Sequence, residues 1–138
     1  MPLLVWNARM KIGIQSMDHQ HQYWILLMNN LHDALYKNTD KTIVYNYLTG
    51  MLNYTRTHFV DEERLLFENS YPDYASHKEL HDDFIRQLEK LRKSVEQGLN
   101  SDWSLVLEII KLMSKWLKDH IQGSDQKYAS FLKEKGVE

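Results

Sequence analysis

A chain of 138 residues with 43% hydrophobic content is long enough for one domain with a substantial core and short for two. A formal net charge of -2, with Lys, Arg, Asp and Glu interspersed, leaves no basic stripe and argues against nucleic-acid binding. The absence of cysteine removes disulfides, iron–sulfur clusters and thiolate ligation, so any metal chemistry falls to histidine and carboxylate. No run approaches the roughly 20 apolar residues that span a bilayer. The opening Met1-Pro2-Leu3-Leu4-Val5-Trp6 is too short for a signal segment, so a soluble, cytoplasmic protein is expected.

Two prolines and five glycines, mostly at candidate junctions, leave long uninterrupted helical patterns. The spacing predicts a first helix from about Asp18 to Tyr36, its inner face running through His21, Trp24, Ile25, Met28, Leu31 and Leu35. Lys37 to Asp40 reads as a connection, with Thr39 or Asp40 capping the next helix. That second helix is predicted from about Lys41 to Glu68, with Val44, Leu48, Met51, Thr55, His58, Glu62, Leu65 and Leu66 inward. Asn69-Ser70-Tyr71-Pro72 ends it, because Pro72 has no backbone N–H and biases its predecessor away from helical geometry.

A third helix carries His77, His81, Phe84, Leu88, Leu91 and Val95 along one stripe before Gly98 offers a C-terminal cap. Ser101 is placed to cap a fourth helix, whose inner face is read as Leu105, Ile109, Leu112, Met113, Trp116, Leu117 and His120. His120 and Asp125 lie five apart around Gly123, so a wider turn or a break is needed to bring both side chains to one centre. Short connections favour antiparallel neighbours. The expected fold is therefore all-α, an antiparallel up-down-up-down four-helix bundle. Residues 1–17 are expected to form an N-terminal arm, 18–122 the bundle and 124–134 a short C-terminal helix.

The candidate ligands sit where the helices should be apolar. Residues four apart share a helical face, so His58 with Glu62 and His77 with His81 can each converge on one centre. Five inward histidines and two inward carboxylates on four helices would be costly to bury unpaired, and imidazole with bridging carboxylate is the natural inventory of a dinuclear metal site. Zinc or haem on the HxxxH pair alone would leave Glu62, Asp125 and the other histidines unexplained. His19 points elsewhere on its helix and His32 lies beside the apolar stripe, so both are expected in solvent or hydrogen-bonded.

These motifs, with Trp6, Gly13-Ile14, Met17-Asp18-His19-Gln20-His21, His58-Phe59-Val60-Asp61-Glu62-Glu63, His77-Lys78-Glu79-Leu80-His81 and Trp116-Leu117-Lys118-Asp119-His120 followed by Asp125 and Tyr128, resemble the hemerythrin family, specifically its single-domain bacterial members. The resemblance covers nearly the whole chain. It implies two irons, one held by His77, His81 and His120 and the other by His21 and His58, with Glu62, Asp125 and an oxo or hydroxo group as bridges.

It also implies reversible binding of dioxygen at the iron that has two histidines, for storage, delivery or sensing, without substrate turnover. In the family's chemistry the net charge of the centre is the same in the deoxy and oxygenated states, which suits an apolar pocket. Phe59, Trp116, Leu117, Ile121 and Tyr128 are implied around that pocket. Trp24 stands where relatives commonly have leucine, and its larger indole is expected to narrow the oxygen route or to alter autoxidation. The alternative is a di-iron redox enzyme acting on peroxide or oxygen. A sensing role would require an oxygen-consuming or signalling protein partner.

Overall fold

The computed structural model describes residues 3–37, 40–98 and 104–138, and all the regular secondary structure in these segments is helical. Five α-helices are α1 (Gln15–Tyr36), α2 (Lys41–Glu68), α3 (Tyr74–Gly98), α4 (Ser104–His120) and α5 (Gln126–Glu134). A short 3₁₀ turn, Ala8–Met10, precedes them, and a π-helical turn, Ile121–Asp125, joins α4 to α5. α1 packs on α2 and α4, and α3 packs on the same two, which closes the four long helices into a ring.

Cross-contacts fix the antiparallel register. Along α2 and α3, Tyr45 meets Glu96, Arg56 meets Glu89 and Glu63 meets His81, so one number rises as the other falls. The same holds where Gln20 meets Asp61 and Tyr23 meets Tyr54 across α1 and α2, and where His81 meets His120 and Phe84 meets Trp116 across α3 and α4. Buried Met28, Leu31, Val44, Leu48, Met51, Leu88, Ile109 and Met113 form the apolar core. Alternating direction then brings the start of α1 and α3 and the end of α2 and α4 to one end of the bundle, where all five inward histidines lie.

Local chemistry sets the boundaries. Asp40 caps α2 by accepting a hydrogen bond from the Thr42 N–H at 2.7 Å. Ser70, at φ 56°, reverses the chain after α2. The expected caps Thr39 and Ser101 lie outside the described residues. α1 begins at Gln15, three residues before the expected start, because Ile14 is extended and its carbonyl already accepts from the Asp18 N–H at 2.9 Å.

That shortens the arm, and Asp18 ties it down. Its two carboxylate oxygens accept from the Ile12 N–H at 2.8 Å and the Gly13 N–H at 3.0 Å. Met10, Ile12 and Ile14 are buried by this docking, and Gly13, at φ 85°, packs under the Lys133 side chain of α5. Arm and α5 thus cover the histidine end together.

The inner face of α4 is rotated from the sequence reading. Val106 and Ile110 are buried with Ile109, Met113 and Leu117, whereas Leu112 and Trp116 are half-buried. Leu35, Leu65, Leu91 and Val95 are likewise half-buried rather than central. No helix among the described residues is long and apolar enough to cross a membrane.

Candidate metal centre

Each long helix contributes to one buried cluster: His21 from α1, His58 and Glu62 from α2, His77 and His81 from α3, and His120 from α4, with Asp125 from the π turn. His21, His81, Glu62 and Asp125 are fully buried or nearly so, and the most exposed of the seven, His120, has 7% of its surface accessible. Ligand atoms of His77, His81, His120 and Glu62 all lie within 4.8 Å of one another, as do those of His21, His58 and Glu62.

Glu62 faces both groups with different oxygens. Its Oε1 is 2.7 Å from His77 Nε2, 3.1 Å from His81 Nε2 and 4.0 Å from His120 Nε2. Its Oε2 is 3.3 Å from His58 Nε2 and 3.8 Å from His21 Nε2. Asp125 is split in the same way, with Oδ1 3.1 Å from His120 Nε2 and 3.4 Å from His77 Nε2, and Oδ2 3.4 Å from His21 Nε2.

Asp125 owes this position to the π turn. Five residues along an α-helix turn a side chain about 140° away from its start, and the wider π turn takes up that excess so that His120 and Asp125 face one centre. The glycine is incidental: Gly123 does not adopt a left-handed backbone, and a side chain added there would meet open space.

The donor atoms fit a cation better than they fit each other. Neither oxygen of Asp125 and neither nitrogen of His21 has a hydrogen-bond partner, although all four are buried. His81 Nε2 and His120 Nε2 approach to 3.1 Å with lone pairs competing for one proton. Two donors each about 2.1 Å from a shared cation and at right angles would lie about 3 Å apart, which is the scale of these contacts.

Outside this set, the second imidazole nitrogens are anchored. His58 Nδ1 is 2.6 Å from Gln20 Oε1, and Gln20 is held in turn by Asp61 and by the Tyr54 hydroxyl, which donates to its carbonyl. His81 Nδ1 is 2.9 Å from Glu63 Oε2. Each contact places the proton on Nδ1 and turns the Nε2 lone pair inward. The Tyr128 hydroxyl, fully buried, donates to Glu62 Oε2 at 3.0 Å.

Sequence reasoning did not find Gln20 or Glu63. The signal was there: each adjoins a ligand candidate, Gln20 before His21 and Glu63 after Glu62, and an inward imidazole needs an acceptor behind it. Glu63→Gln is expected to weaken metal binding about tenfold or more, read by competition with a chelator, and unchanged affinity would count against an anchoring role.

Protonation in the metal-free chain is uneven. Burial disfavours the charged form of His81, but hydrogen bonds to Glu62 and Glu63 outweigh it and raise its pKa to about 9. Burial lowers that of His120 to about 3 despite the nearby Glu62. Burial would raise Glu62, yet the imidazoles of His21, His58, His77 and His81 around it hold it well below the usual carboxylate range. Asp125 is pushed well up, by burial and then by the Glu62 charge.

At pH 7, His81 therefore carries a proton that a metal must displace. Metal uptake is expected to release protons, and affinity to rise with pH from neutrality until it levels off above about 9. Loading in weakly buffered solution with an indicator dye reads the release; uptake with no proton released would contradict this charge distribution.

An aromatic wall encloses one side. Phe59 stacks on His81 at 3.8 Å, and Trp116 stacks between His120 at 4.2 Å and Phe84 at 4.1 Å. Trp24 lies 5.2 Å from the His58 ring, and Tyr128 5.4 Å from His77. Leu117 near the end of α4 and Ile121 at the start of the π turn are fully buried. His19 is exposed, as expected, but His32 is half-buried: its Nδ1 has no hydrogen-bond partner and its ring packs 4.6 Å from Tyr36.

Residues 12–132 match the Hemerythrin HHE cation binding domain. The chain belongs to the hemerythrin family. It is 37% identical over 134 residues to a bacteriohemerythrin of Stenotrophomonas maltophilia, covering 96% of this chain and 84% of that one. Against a myohemerythrin of Theromyzon tessulatum it is 28% identical over 123 residues, covering 89% and 88%. A crystal structure of wild-type hemerythrin superposes with a TM-score of 0.81 at 25% identity, covering 93% of this chain and 96% of that one. The hemerythrin fold thus accounts for the four-helix ring and for a cation site at the end where the histidines gather.

Proposed function

We propose that this chain binds dioxygen reversibly at two irons, one held by His77, His81 and His120 and the other by His21 and His58, with Glu62 and Asp125 shared between them. The observation that carries this reading is the split of both carboxylates, each turning one oxygen to each histidine group. Ferrous iron, when bound, supplies the electrons that oxygen uptake borrows and release returns.

The chain's own residues do the rest. Three histidines on one side and two on the other leave the His21/His58 side one donor short, which is where a small ligand would complete the set. Neutral imidazoles outnumber carboxylates, so the donor set favours release over cleavage of the oxygen–oxygen bond. Phe59, Trp116, Leu117, Ile121 and Trp24 keep bulk water from this end, and with it the protons that would drive irreversible oxidation. Gln20 and Glu63 hold two imidazoles in orientation, and Tyr128 holds Glu62.

Iron content and the visible spectrum of the reduced protein, cycled between oxygen and argon in a sealed cuvette, test this. Two irons per chain and a band that appears under oxygen and vanishes under argon are expected. Irreversible oxidation, or steady consumption of peroxide with a reductant, would replace the carrier with a redox enzyme; no iron after anaerobic reconstitution would remove the metal reading.

A further inference from the structure

Resting on the ligand-binding role just described, we propose that the indole N–H of Trp24 is the hydrogen-bond donor offered to a small ligand on the His21/His58 side, so that the site selects ligands whose free end carries a lone pair: dioxygen or a compact anion such as azide. Trp24 is 1% exposed, and its Nε1 has no hydrogen-bond partner. An indole nitrogen can only donate. A buried donor without an acceptor weakens the fold, so a tryptophan here costs stability that leucine or phenylalanine would not.

Its position gives that cost a use. Trp24 follows His21 by one helical turn on the same face of α1, and its ring is 5.2 Å from that of His58, so it borders the histidine group that is short of a donor. The other groups of the wall cannot serve. Phe59, Leu117 and Ile121 carry no donor, the Tyr128 hydroxyl is committed to Glu62, and the Trp116 ring stacks on His120, in the other histidine group. The competing arrangement has the N–H resting on the Phe59 ring, which crosses the indole at 80° with centroids 5.6 Å apart.

The test uses the full chain, iron-loaded and oxidised, titrated with sodium azide. The infrared antisymmetric stretch of bound azide is recorded in H₂O and D₂O for the wild type and for Trp24→Phe, with affinity taken from the visible band. A stretch that moves on deuteration in the wild type but not in Trp24→Phe, with azide bound about tenfold more weakly by the variant, is expected. An identical stretch and affinity in both would overturn the proposal and place the N–H on Phe59. A deuterium shift that survives in Trp24→Phe would overturn it in favour of another donor.

Should Trp24→Phe fail to load iron, Trp24→3-benzothienylalanine keeps the bicyclic shape and replaces only the N–H, and the same two readouts decide. Failure of azide to bind the wild type also overturns the proposal. If azide binds with the expected deuterium shift but oxygen is not released under argon, the carrier reading falls while the role of Trp24 stands.

Discussion

Asp125→Ala and Glu62→Ala are each expected to abolish paired metal binding, with affinity for the second ion falling more than about a hundredfold, while His32→Ala leaves loading intact. Each carboxylate turns an oxygen to both histidine groups, so its loss removes a donor from two positions at once. Substitution of a mere outer partner weakens metal sites by about ten- to a hundredfold, and loss of a shared ligand exceeds that. His32 sits about three turns further along α1, packed on Tyr36, and faces none of these atoms.

The two variants should part company once metal is removed. Glu62→Ala strands the buried Tyr128 hydroxyl and is expected to cost about 1–3 kcal/mol. Asp125→Ala removes a buried carboxyl that has no partner and should leave the metal-free fold as stable as before, or more so. Elemental analysis and chemical denaturation read both effects. Full loading of both variants with unchanged spectra would reject the sharing of these carboxylates.

Removing the metal from the intact chain is the second large effect. The free protein must keep seven polar side chains within one buried end, several unpaired, and a bound ion relieves them together. With free metal at a thousand times its dissociation constant, linkage adds about 4 kcal/mol to stability, which for a domain of this size corresponds to about 15 °C in melting temperature. Chelation should lower the melting temperature by that much, and the gap should narrow as acid protonates the histidines. Equal melting of loaded and stripped protein at neutral pH would mean that metal does not engage this cluster.

Much of this was legible in the residues because helices repeat. His58/Glu62 and His77/His81 are four apart, and a polar pair on an otherwise apolar stripe announces itself; α2 runs as its pattern suggests, from Lys41 to Glu68. The face of α4 was less readable. Val106, Ile109, Ile110, Leu112, Met113, Trp116 and Leu117 wrap so far around the helix that periodicity cannot choose among them, and packing against α1 and α3 made the choice.

Hydrogen bonds that cross between elements left no periodic trace. Gln20 to His58 and Glu63 to His81 join residues far apart in sequence, and Asp18 secures the arm through two backbone N–H groups that any residue could supply. The five-residue step from His120 to Asp125 signalled a wider turn or a break, and the structure uses the wider helical coil, with no left-handed glycine in it.

That coil divides the segment's tolerance in an unusual way. Gln122, Gly123 and Ser124 face outward or only partly inward, and the glycine position has open space around it, so their chemistry can be rewritten. Their number cannot grow. Inserting a single residue would exceed the one extra residue that the π turn takes up, swing Asp125 about 100° off the centre and rotate Tyr128, Ala129 and Leu132 out of their buried seats in one stroke. Deleting one would leave the aspartate four residues after His120, on the same helical face. A library that randomises these three positions at constant length should return mostly folded, metal-competent proteins, whereas one that carries an extra residue there should return almost none.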